Sequence, residues 1–317
     1  MRNLHNLKIA VIYGGNSKER PGSLVSGKAA YASLKKQGFN VSLIDPQKDN
    51  IHTKLKKVDI AFLGLHGRYG EDGKIQGFLE TLKIPYTASG VLASALGMDK
   101  ISFKNLLHSC NIPTLAFFAI KENYKARELD EAIKKLRLPL FIKPVSEGGS
   151  LGAGIIYTKT QLQEHLKNGF GEGFDSFILE PYIKGTCLTV GLFEDKGNMT
   201  VFPVLETVSK KEFYDYEAKH DPKLHEYYCP ARISKQLTKK IGIISQDVFR
   251  TINAHGYLRV DFIVNQENEP YVLEVNTLPG LSLGSNLATM AYAAGMTYDD
   301  LVIRVLNTAF TKSGYNP

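Results

Sequence analysis

Apolar and polar residues in the first third of the chain follow two alternating periods. Short β-rich runs predict strands at residues 8–13, 40–44 and 58–64, and helical repeats predict helices at about 23–36 and 74–82. Because strands and helices alternate, this segment is expected to form a parallel sheet with helices on its faces.

The pattern changes near residues 89–97, and two further blocks follow. The first looks like a small α+β unit, opened by a helix that Asp99 caps. Its predicted helices are 99–107, 126–136 and 161–167, and its strands are 117–120, 140–144, 154–157 and 177–180. The second block is larger, with strands at 188–193, 201–205, 258–264 and 271–275, a polar loop at 209–230, and helices at 235–255, 285–294 and 298–311.

Composition places the chain among soluble globular proteins. A length of 317 residues suits two or three domains, and 43% hydrophobic with 22% charged residues is ordinary for that class. No stretch is long and apolar enough to cross a bilayer, and residues 1–6 lack the apolar core of a signal peptide. We therefore expect a cytoplasmic protein without membrane partners.

Cysteine usage and charge narrow the function classes. Cys110, Cys187 and Cys229 lie far apart, which excludes a disulfide scaffold and shows no metal-ligand spacing. Lys plus Arg (39) exceeds Asp plus Glu (32) by seven, scattered in pairs along the chain. This surplus suits an anionic small substrate such as a nucleotide, or simply a solvated surface. Nucleic-acid binding would need a concentrated basic face, which is absent.

Two predicted strands near the C-terminus carry alternating polar residues. Arg259 and Asp261 share one strand face, and Glu274 and Asn276 share a face of the next strand. Three oxygen side chains converging from paired strands suit Mg²⁺ with nucleotide phosphates, and the arginine would balance charge on a reacting oxygen. The alternative is two amphipathic strands with solvated acids. The apolar residues around these acids disfavour it, because an unpaired buried charge is costly.

A glycine-rich turn follows the predicted strand 140–144. Lys143 ends that strand, and Gly148, Gly149, Ser150 and Gly152 follow it. Backbone N–H groups of such a turn approach phosphate oxygens closely, and the ammonium reaches the same group. Neither the P-loop nor the dinucleotide-binding pattern matches. A plain glycine-rich hairpin is the alternative.

Two loops of the first block hold candidate substrate residues. Glu19 follows the first strand and could hold a substrate ammonium, while Ser23 could cap the helix. His66 stands at the end of a strand before a glycine loop, where ligands bind in open α/β sheets. The alternatives are a solvated acid and a packed histidine.

Together these motifs resemble, in order and spacing over almost the whole chain, the D-alanine–D-alanine ligases of the ATP-grasp superfamily. The matching segments are residues 14–15, 19–20, 65–67, 70–73, 85–87, 98–100, 143–144, 213–219 and 259–280. The resemblance implies an α/β ATP-grasp fold of three domains. These are an N-terminal Rossmann-like parallel sheet (1–97), a small central α+β domain (98–184) and a larger C-terminal α+β domain (185–317) whose closing loop spans about 209–230.

The resemblance also implies an ATP site with two Mg²⁺ ions, which Mn²⁺ could replace. Lys100 and Lys143 would hold phosphates under the loop of Gly149 and Ser150, and Lys219 would reach the γ-phosphate when its loop closes. The hinge that meets adenine would be Glu180, Pro181, Tyr182 and Ile183, the ribose would lie near Cys187, and the metal ligands would be Asp261, Glu274 and Asn276.

In such enzymes a D-amino-acid carboxylate attacks the γ-phosphate, and a second amine then attacks the acyl-phosphate. By resemblance, Arg259 and the Gly280 N–H stabilise the oxyanion. The remaining implied substrate or catalytic residues are Glu19, Ser23, His66, Lys219, His220, Ser285 and Asn286.

Several positions depart from the family pattern. Gly149 replaces a usual serine and His220 a usual tyrosine, two residues that in the family latch the closing loop onto the glutamate matching Glu19. His220 could still bond Glu19 as a pH-sensitive pair. Cys187 replaces a ribose-binding glutamate, so nucleotide affinity is expected to be lower, since a thiol is a weak acceptor. Asn286, where leucine or aspartate is common, borders the second substrate.

Two readings of the substrate follow, with a third from another class. The enzyme joins two D-alanines for peptidoglycan synthesis, or it takes D-serine, D-lactate or another amine as second substrate. The third hypothesis, a non-catalytic nucleotide-binding homologue, conflicts with the intact phosphate and metal residues. Family members are commonly homodimers, which the resemblance also implies here.

Overall fold

The computed structural model describes residues 4–311 apart from residue 222, and it leaves out the side chains of Leu4 and His220. Residues 8–63 contain the predicted parallel sheet, of order β2-β1-β3. In chain order the elements are β1 (Lys8–Ile12), α1 (Arg20–Lys36), β2 (Asn40–Ile44), α2 (Ile51–Leu55), β3 (Ile60–Leu63), α3 (Lys74–Thr81) and α4 (Val91–Met98). Both α2 and α4 are absent from the sequence prediction.

Helix α1 begins three residues earlier than predicted. Glu19 is its N-cap residue, and Pro21 lies in its first turn. Proline is tolerated there because the first turn leaves its N–H groups without intrahelical partners. The prediction that Ser23 caps the helix is therefore wrong, because Ser23 already lies inside it.

The central elements form a four-stranded antiparallel sheet of order β4-β7-β5-β6. The predicted cap at Asp99 is confirmed, since its carboxylate accepts a 2.7 Å hydrogen bond from the Ser102 N–H. The elements are α5 (Lys100–Ser109), β4 (Phe118–Lys121), α6 (Ala126–Leu136), β5 (Leu140–Pro144), β6 (Gly154–Ile156), α7 (Lys159–Gly171) and β7 (Ser176–Pro181).

The last elements build an antiparallel sheet of order β11-β10-β8-β12-β13, with β9 also paired to β8. They are β8 (Thr186–Asp195), β9 (Asn198–Val201), β10 (Leu205–Ser209), α8 (Tyr216–His220), β11 (His225–Tyr228), α9 (Lys235–Thr251), β12 (Tyr257–Val264), β13 (Pro270–Asn276), α10 (Asn286–Ala293) and α11 (Tyr298–Asn307). The strand predicted at 201–205 is wrong, because 202–204 connect β9 to β10. Pro203 lies in that connection and has no N–H to donate to a ladder.

The buried residues form separate cores. The first sheet shares its core with the C-terminal helices, so that Leu34 and Phe62 belong to one cluster with Leu301 and Leu306. The central sheet packs a cluster of its own against α6 and α7. No helix among residues 4–311 is long and apolar enough to cross a membrane. The domain boundaries at residues 97 and 184 stay a prediction.

Candidate active site

A cavity of about 1010 Å³ lies where the three sheets meet. Its walls come from the loop after β1, the glycine loop between β5 and β6 (residues 147–152), the closing loop (residues 209–230) and the facing strands β12 and β13. The predicted site residues that line it are Glu19, His66, Lys100, Lys143, Gly149, Ser150, Glu180, Pro181, Tyr182, Ile183, Cys187, Lys219, Arg259, Asp261, Glu274, Asn276, Gly280, Ser285 and Asn286.

Ser23 is the predicted substrate residue that the structure places elsewhere. Its side chain is fully buried, donates to the Gly64 carbonyl at 2.7 Å, and accepts from the Gly14 N–H at 2.8 Å. The hydroxyl therefore joins the ends of two strands and does not reach the cavity. His220 ends α8, and its side chain lies outside the described part of the chain.

Strands β12 and β13 bring the predicted polar quartet together. In their antiparallel register Asp261 lies opposite Glu274 and Arg259 opposite Asn276. The Arg259 guanidinium donates two 2.8 Å hydrogen bonds to Asp261, in bidentate geometry. Thr189, on the neighbouring β8, donates to the same carboxylate. The two-residue period of the strands thus produced the convergence that the sequence predicted.

Glu274 is ionised although its surroundings are buried. Burial alone would raise the pKa of its carboxyl, but the charges of Lys100, Lys219, Lys143 and Arg259 outweigh it and lower the pKa to about 2. One carboxylate thus has four cations around it. Such an excess of positive charge suits a polyanion.

Lys143 belongs to a buried ionic triad that includes a residue missed from the sequence. The Glu180 carboxylate contacts Lys143 Nζ at 2.8 Å and Lys104 Nζ at 2.5 Å. Burial lowers the pKa of Lys143, but Glu180 outweighs that effect and raises it. The available signal was that Lys100, Phe103 and Lys104 share one helical face, which the structure buries.

Lys100 holds the glycine loop by a hydrogen bond to its backbone. Its ammonium donates to the Glu147 carbonyl at 2.6 Å, and burial lowers its pKa. Gly149 has a φ of +63°, a left-handed conformation that glycine adopts without steric cost. Ser150, with a φ of +60°, donates its hydroxyl to the Tyr214 carbonyl at 3.2 Å and so contacts the closing loop.

Glu19 and His66 lie at the other end of the cavity. Burial raises the pKa of the Glu19 carboxyl to about 7, and the nearby charge of Glu71 adds to the shift. His66 Nε2 lies 2.9 Å from Ser26 Oγ, and Nδ1 lies 3.4 Å from Glu71 Oε1. Burial lowers the pKa of His66, but Glu71 and Glu19 outweigh it and raise the pKa.

Ser26 and Glu71 were not singled out from the sequence as site residues. Ser26 lies on the buried face of α1, which consists largely of small residues and so has no strong hydrophobic stripe. Its hydroxyl accepts from the Leu281 N–H at 3.1 Å, so it ties the turn after Gly280 to His66. Glu71 lies inside a motif that matched the family, which was the signal available for it.

The part of the cavity where the second substrate is predicted to bind lies at the start of α10. The Ser285 hydroxyl caps this helix by accepting from the Ala288 N–H at 3.3 Å, and Asn286 is the first helical residue. A helix N-terminus carries unpaired N–H groups and partial positive charge, which suit a carboxylate. Ser285 and Asn286 line the cavity together with Gly280.

The closing loop is folded over the cavity. Helix α8 carries Lys219 inward, and Asp215 caps it by accepting from the Ala218 N–H at 2.7 Å. The loop also contains β11, so the predicted irregular loop is partly regular.

The outer part of the closing loop contacts the central unit (the predicted central domain, residues 98–184) through Glu212 and Phe213. The Glu212 carboxylate accepts from Tyr157, and its carbonyl accepts from the Tyr182 hydroxyl at 3.3 Å. The ring of Phe213 packs edge-on against Phe141, with centroids 5.3 Å apart.

Cys187 lies on β8 beside the predicted nucleotide hinge. Its register partners are Ile263 and Thr207, and burial raises the pKa of its thiol. The group is therefore a neutral thiol at neutral pH, a weak hydrogen-bonding partner at a position that lines the cavity.

Comparisons with known proteins agree with this geometry. Residues 45–89 match the family described as D-ala D-ala ligase N-terminus, and residues 106–307 match D-ala D-ala ligase C-terminus. A D-alanine–D-alanine ligase of Carboxydothermus hydrogenoformans is 41% identical over 306 residues, which are 95% of this chain and 97% of the relative.

Two solved structures have the same architecture. The D-alanine–D-alanine ligase of Bacillus anthracis complexed with ATP has a TM-score of 0.83 at 32% identity, over 96% of this chain and 97% of its own. A D-Ala:D-Ser ligase of Enterococcus faecalis also has a TM-score of 0.83, at 27% identity, over 96% of this chain and 99% of its own. The family matches, the identity to these relatives and the shared ATP-grasp fold show that the chain belongs to the D-alanine–D-alanine ligase family.

Proposed function

We propose that this protein joins two D-alanine molecules with the energy of ATP, through an acyl-phosphate intermediate. The observation that carries the proposal is the convergence of Lys100, Lys143, Lys219 and Arg259 around Glu274. This positive cluster lies in the same cavity as Glu19, whose carboxylate suits a substrate ammonium. Polyphosphate and amino acid would therefore lie side by side.

The nucleotide would lie between the central sheet and the C-terminal sheet. The related B. anthracis structure contains ATP, which supports a nucleotide in the matching cavity here. Lys100 and Lys143 would hold phosphate oxygens under the glycine loop, and Lys219 would contact the γ-phosphate. Of the hinge residues, Pro181, Tyr182 and Ile183 remain to meet adenine, since the Glu180 carboxylate is already taken by two lysines.

Magnesium fits the oxygen donors at the phosphate end of the cavity. Glu274 is ionised, Asp261 stands opposite it, and the Asn276 side-chain oxygen accepts one 2.9 Å bond from the Leu278 N–H, leaving a second lone pair. Bound Mg²⁺, or Mn²⁺, would neutralise charge on the β- and γ-phosphates. Asp261 would share its carboxylate between the metal and Arg259.

The first step forms the activated acid. Glu19 would hold the ammonium of the first D-alanine, and this contact would direct the carboxylate of the D-alanine toward the γ-phosphorus. A carboxylate oxygen of D-alanine attacks that phosphorus, and the bond between the γ-phosphorus and the β–γ bridging oxygen breaks. ADP leaves with the bridging oxygen, and the acyl-phosphate is formed. Lysine ammonium groups neutralise the charge of this transfer.

The second step forms the peptide bond. The neutral amine of the second D-alanine attacks the acyl carbon, and Arg259 with the Gly280 N–H would stabilise the tetrahedral oxyanion. The C–O bond to phosphate then breaks, inorganic phosphate leaves, and the nitrogen loses one proton. The closing loop would keep water away from the acyl-phosphate in the meantime.

The identity of the second substrate distinguishes a D-alanine–D-alanine ligase from a related ligase that takes a different second substrate. The similarity to a D-Ala:D-Ser ligase and the presence of Asn286 beside Ser285 favour D-serine as the second candidate, ahead of D-lactate or another amine. Phosphate release from ATP would be measured with D-alanine alone and with D-alanine plus D-serine or D-lactate, and the product identified by mass. We expect D-alanyl-D-alanine as the main product.

The same assay separates the enzyme from a nucleotide-binding homologue without activity. Absence of amino-acid-dependent phosphate release with every substrate would overturn the ligase proposal. A mixed product of D-alanine and D-serine would move the assignment to the second candidate. The homodimer stays a prediction, to be checked by light scattering during gel filtration.

A further inference from the structure

Arg68 follows His66 and Gly67 and reaches from the first-substrate end of the molecule to the glycine loop. Its Nε lies 3.0 Å from Glu147 Oε1 and 3.3 Å from the Ser146 carbonyl. A second nitrogen of the same guanidinium lies 2.9 Å from Asp175. Arg68 does not line the cavity, so it stands behind the residues that contact substrates.

The two ion pairs of Arg68 differ in exposure. The Arg68 side chain, common to both pairs, is 34% exposed, so the difference lies in the acids: the Glu147 side chain is 8% exposed, whereas that of Asp175 is 77% exposed. A shielded pair resists screening by water and salt, while an exposed pair contributes little. Glu147 is also the residue whose carbonyl accepts from Lys100. The shielded pair therefore holds the same loop residue that a phosphate-binding lysine holds.

The Glu19 carboxylate lies between the loop of Arg68 and the glycine loop. A Cβ added at Gly67 would lie 2.9 Å from Glu19 Oε1, and one added at Gly148 would lie 2.3 Å from the same atom. Both loops approach this carboxylate closely only because they present glycine there. The spacing of Gly67 and Gly148 therefore sets the shape of the ammonium pocket, and the Arg68–Glu147 pair bridges the two loops beside it.

We propose that Arg68 is a positioning residue that couples the binding of the first D-amino acid to the binding of ATP. By holding Glu147, it keeps the glycine loop against Glu19, so that one loop position serves both the ammonium pocket and the phosphate site. This inference rests on the proposed function for the identity of the two ligands. It goes beyond that function in assigning the coupling to one ion pair between two units of the fold.

The test compares Arg68→Gln with Asp175→Asn, a control that removes only the exposed pair of the same guanidinium. Binding of the non-hydrolysable ATP analogue AMP-PNP would be measured by calorimetry without D-alanine and with saturating D-alanine. We expect D-alanine to tighten analogue binding about fivefold or more in the wild type and in Asp175→Asn, within the usual range of coupling between sites. In Arg68→Gln the enhancement should fall to about twofold or less.

Glu147→Gln provides a second variant that does not depend on how well Arg68→Gln folds. It should lose the same coupling, and the double variant Arg68→Gln/Glu147→Gln should be no worse than either single one, because both remove one interaction. Arg68→Lys, which keeps the charge without the fork, should retain part of the enhancement. Thermal melts check that each variant is folded.

Equal enhancement by D-alanine in the wild type and in both single variants would overturn the proposal, as would its absence from the wild type. This measurement needs no turnover. A chain that lacks ligase activity but shows the expected coupling would contradict the proposed function and still support the role of Arg68.

Discussion

The carboxyl group of Glu19 is buried in this site, and burial disfavours its charged form. Its Oε1 atom is buried and has no hydrogen-bond partner among the residues that the structure describes, which leave out residue 222 and the side chain of His220. An unpaired buried oxygen is costly to the free protein, and a substrate ammonium would provide the missing donor. The raised pKa of about 7 has the same origin, since burial favours the neutral acid until a cation arrives.

The pH dependence of substrate capture should report this group. Because the pKa is raised, Glu19 is neutral below pH 7 and becomes an anion above it. We expect kcat/KM for D-alanine to fall about tenfold for each pH unit below about pH 7, since this ratio reports ionisations of the enzyme form that has not yet bound D-alanine. Rate measurements between pH 5.5 and 8.5 would show this limb.

Glu19→Gln is the matched variant for that profile. It cannot ionise, so its residual activity should lack the limb below pH 7. A wild-type profile that is flat from pH 6 to pH 8 would contradict the assignment of the raised pKa to a substrate-binding group.

At the scale of elements, the closing loop makes contacts that the family resemblance did not point to. Gly149 has no side chain with which to bond Glu19, and the latch through His220 stays a prediction. Besides the hydrogen bond from Ser150 to the Tyr214 carbonyl, the described contacts join Glu212 and Phe213 to Tyr157, Tyr182 and Phe141 of the central unit. Since loop closure excludes water from an acyl-phosphate, these contacts should govern how well ATP use is coupled to ligation.

Glu212→Ala removes the acceptor for Tyr157 and should loosen the closed loop. We expect KM for ATP to rise about fivefold, which corresponds to one hydrogen bond to a charged group on a partly exposed surface. We also expect more phosphate released per dipeptide formed, because water gains access to the intermediate. Phosphate release and dipeptide yield, measured in the same reaction, give this ratio.

Glu217→Ala is the control within the same loop. It also removes one carboxylate, but its side chain is 70% exposed and forms its ion pair with Lys211. It should leave both KM for ATP and the ratio near wild-type values. Equal effects of the two substitutions would mean that loop charge, and not the contact with Tyr157, is responsible.

At the scale of the whole molecule, the first and last segments of the chain are packed into one core. Leu301 on α11 is fully buried with Leu34 of α1 and Phe62 of β3, whereas Leu166 on α7 belongs to the central cluster. The central unit therefore has a core of its own that can melt by itself. The N-terminal sheet cannot unfold without exposing the C-terminal helices.

Calorimetry should resolve this division as two unfolding transitions. Leu166→Ala should lower the midpoint temperature of one transition, and Leu301→Ala should lower that of the other. Each substitution should reduce the free energy of unfolding by about 2 to 5 kcal/mol, as large-to-small changes in cores do. The exposed residue Leu92, replaced by alanine, should shift neither appreciably. One transition that both core substitutions shift equally would contradict the division.

Helices with a strong apolar period or a recognisable cap were predicted well. Residues 126–136 and the Asp99 cap agree with the structure because their signals are local. The start of α1 was misplaced because Pro21 and Gly22 look like loop residues, although proline fits a first turn. Helix α4 was missed because its residues are mostly apolar without a polar face.

The sequence by itself determined most of the strands, their alternation with helices in the first third of the chain, and the chemical type of each candidate site residue. Strand β11 and the division of residues 198–209 into β9 and β10 appeared only in the structure. The two-residue period of β12 and β13 is enough to bring Asp261, Glu274 and Asn276 to one face. Family resemblance added Lys219 and Ser285, because the order of motifs along the chain can be compared without knowing the fold. These parts need no knowledge of packing.

Only the tertiary structure decided the contacts between distant segments. Lys104 became a partner of Glu180, Arg68 a partner of Glu147, and Ser23 a strand tie instead of a substrate residue. The physical reason is that burial and charge partners come from residues far apart in sequence, and no periodicity records them. The same reason explains Glu19: the sequence shows an acid, but its pKa of about 7 arises only when Gly67, Gly148 and Glu71 close around it.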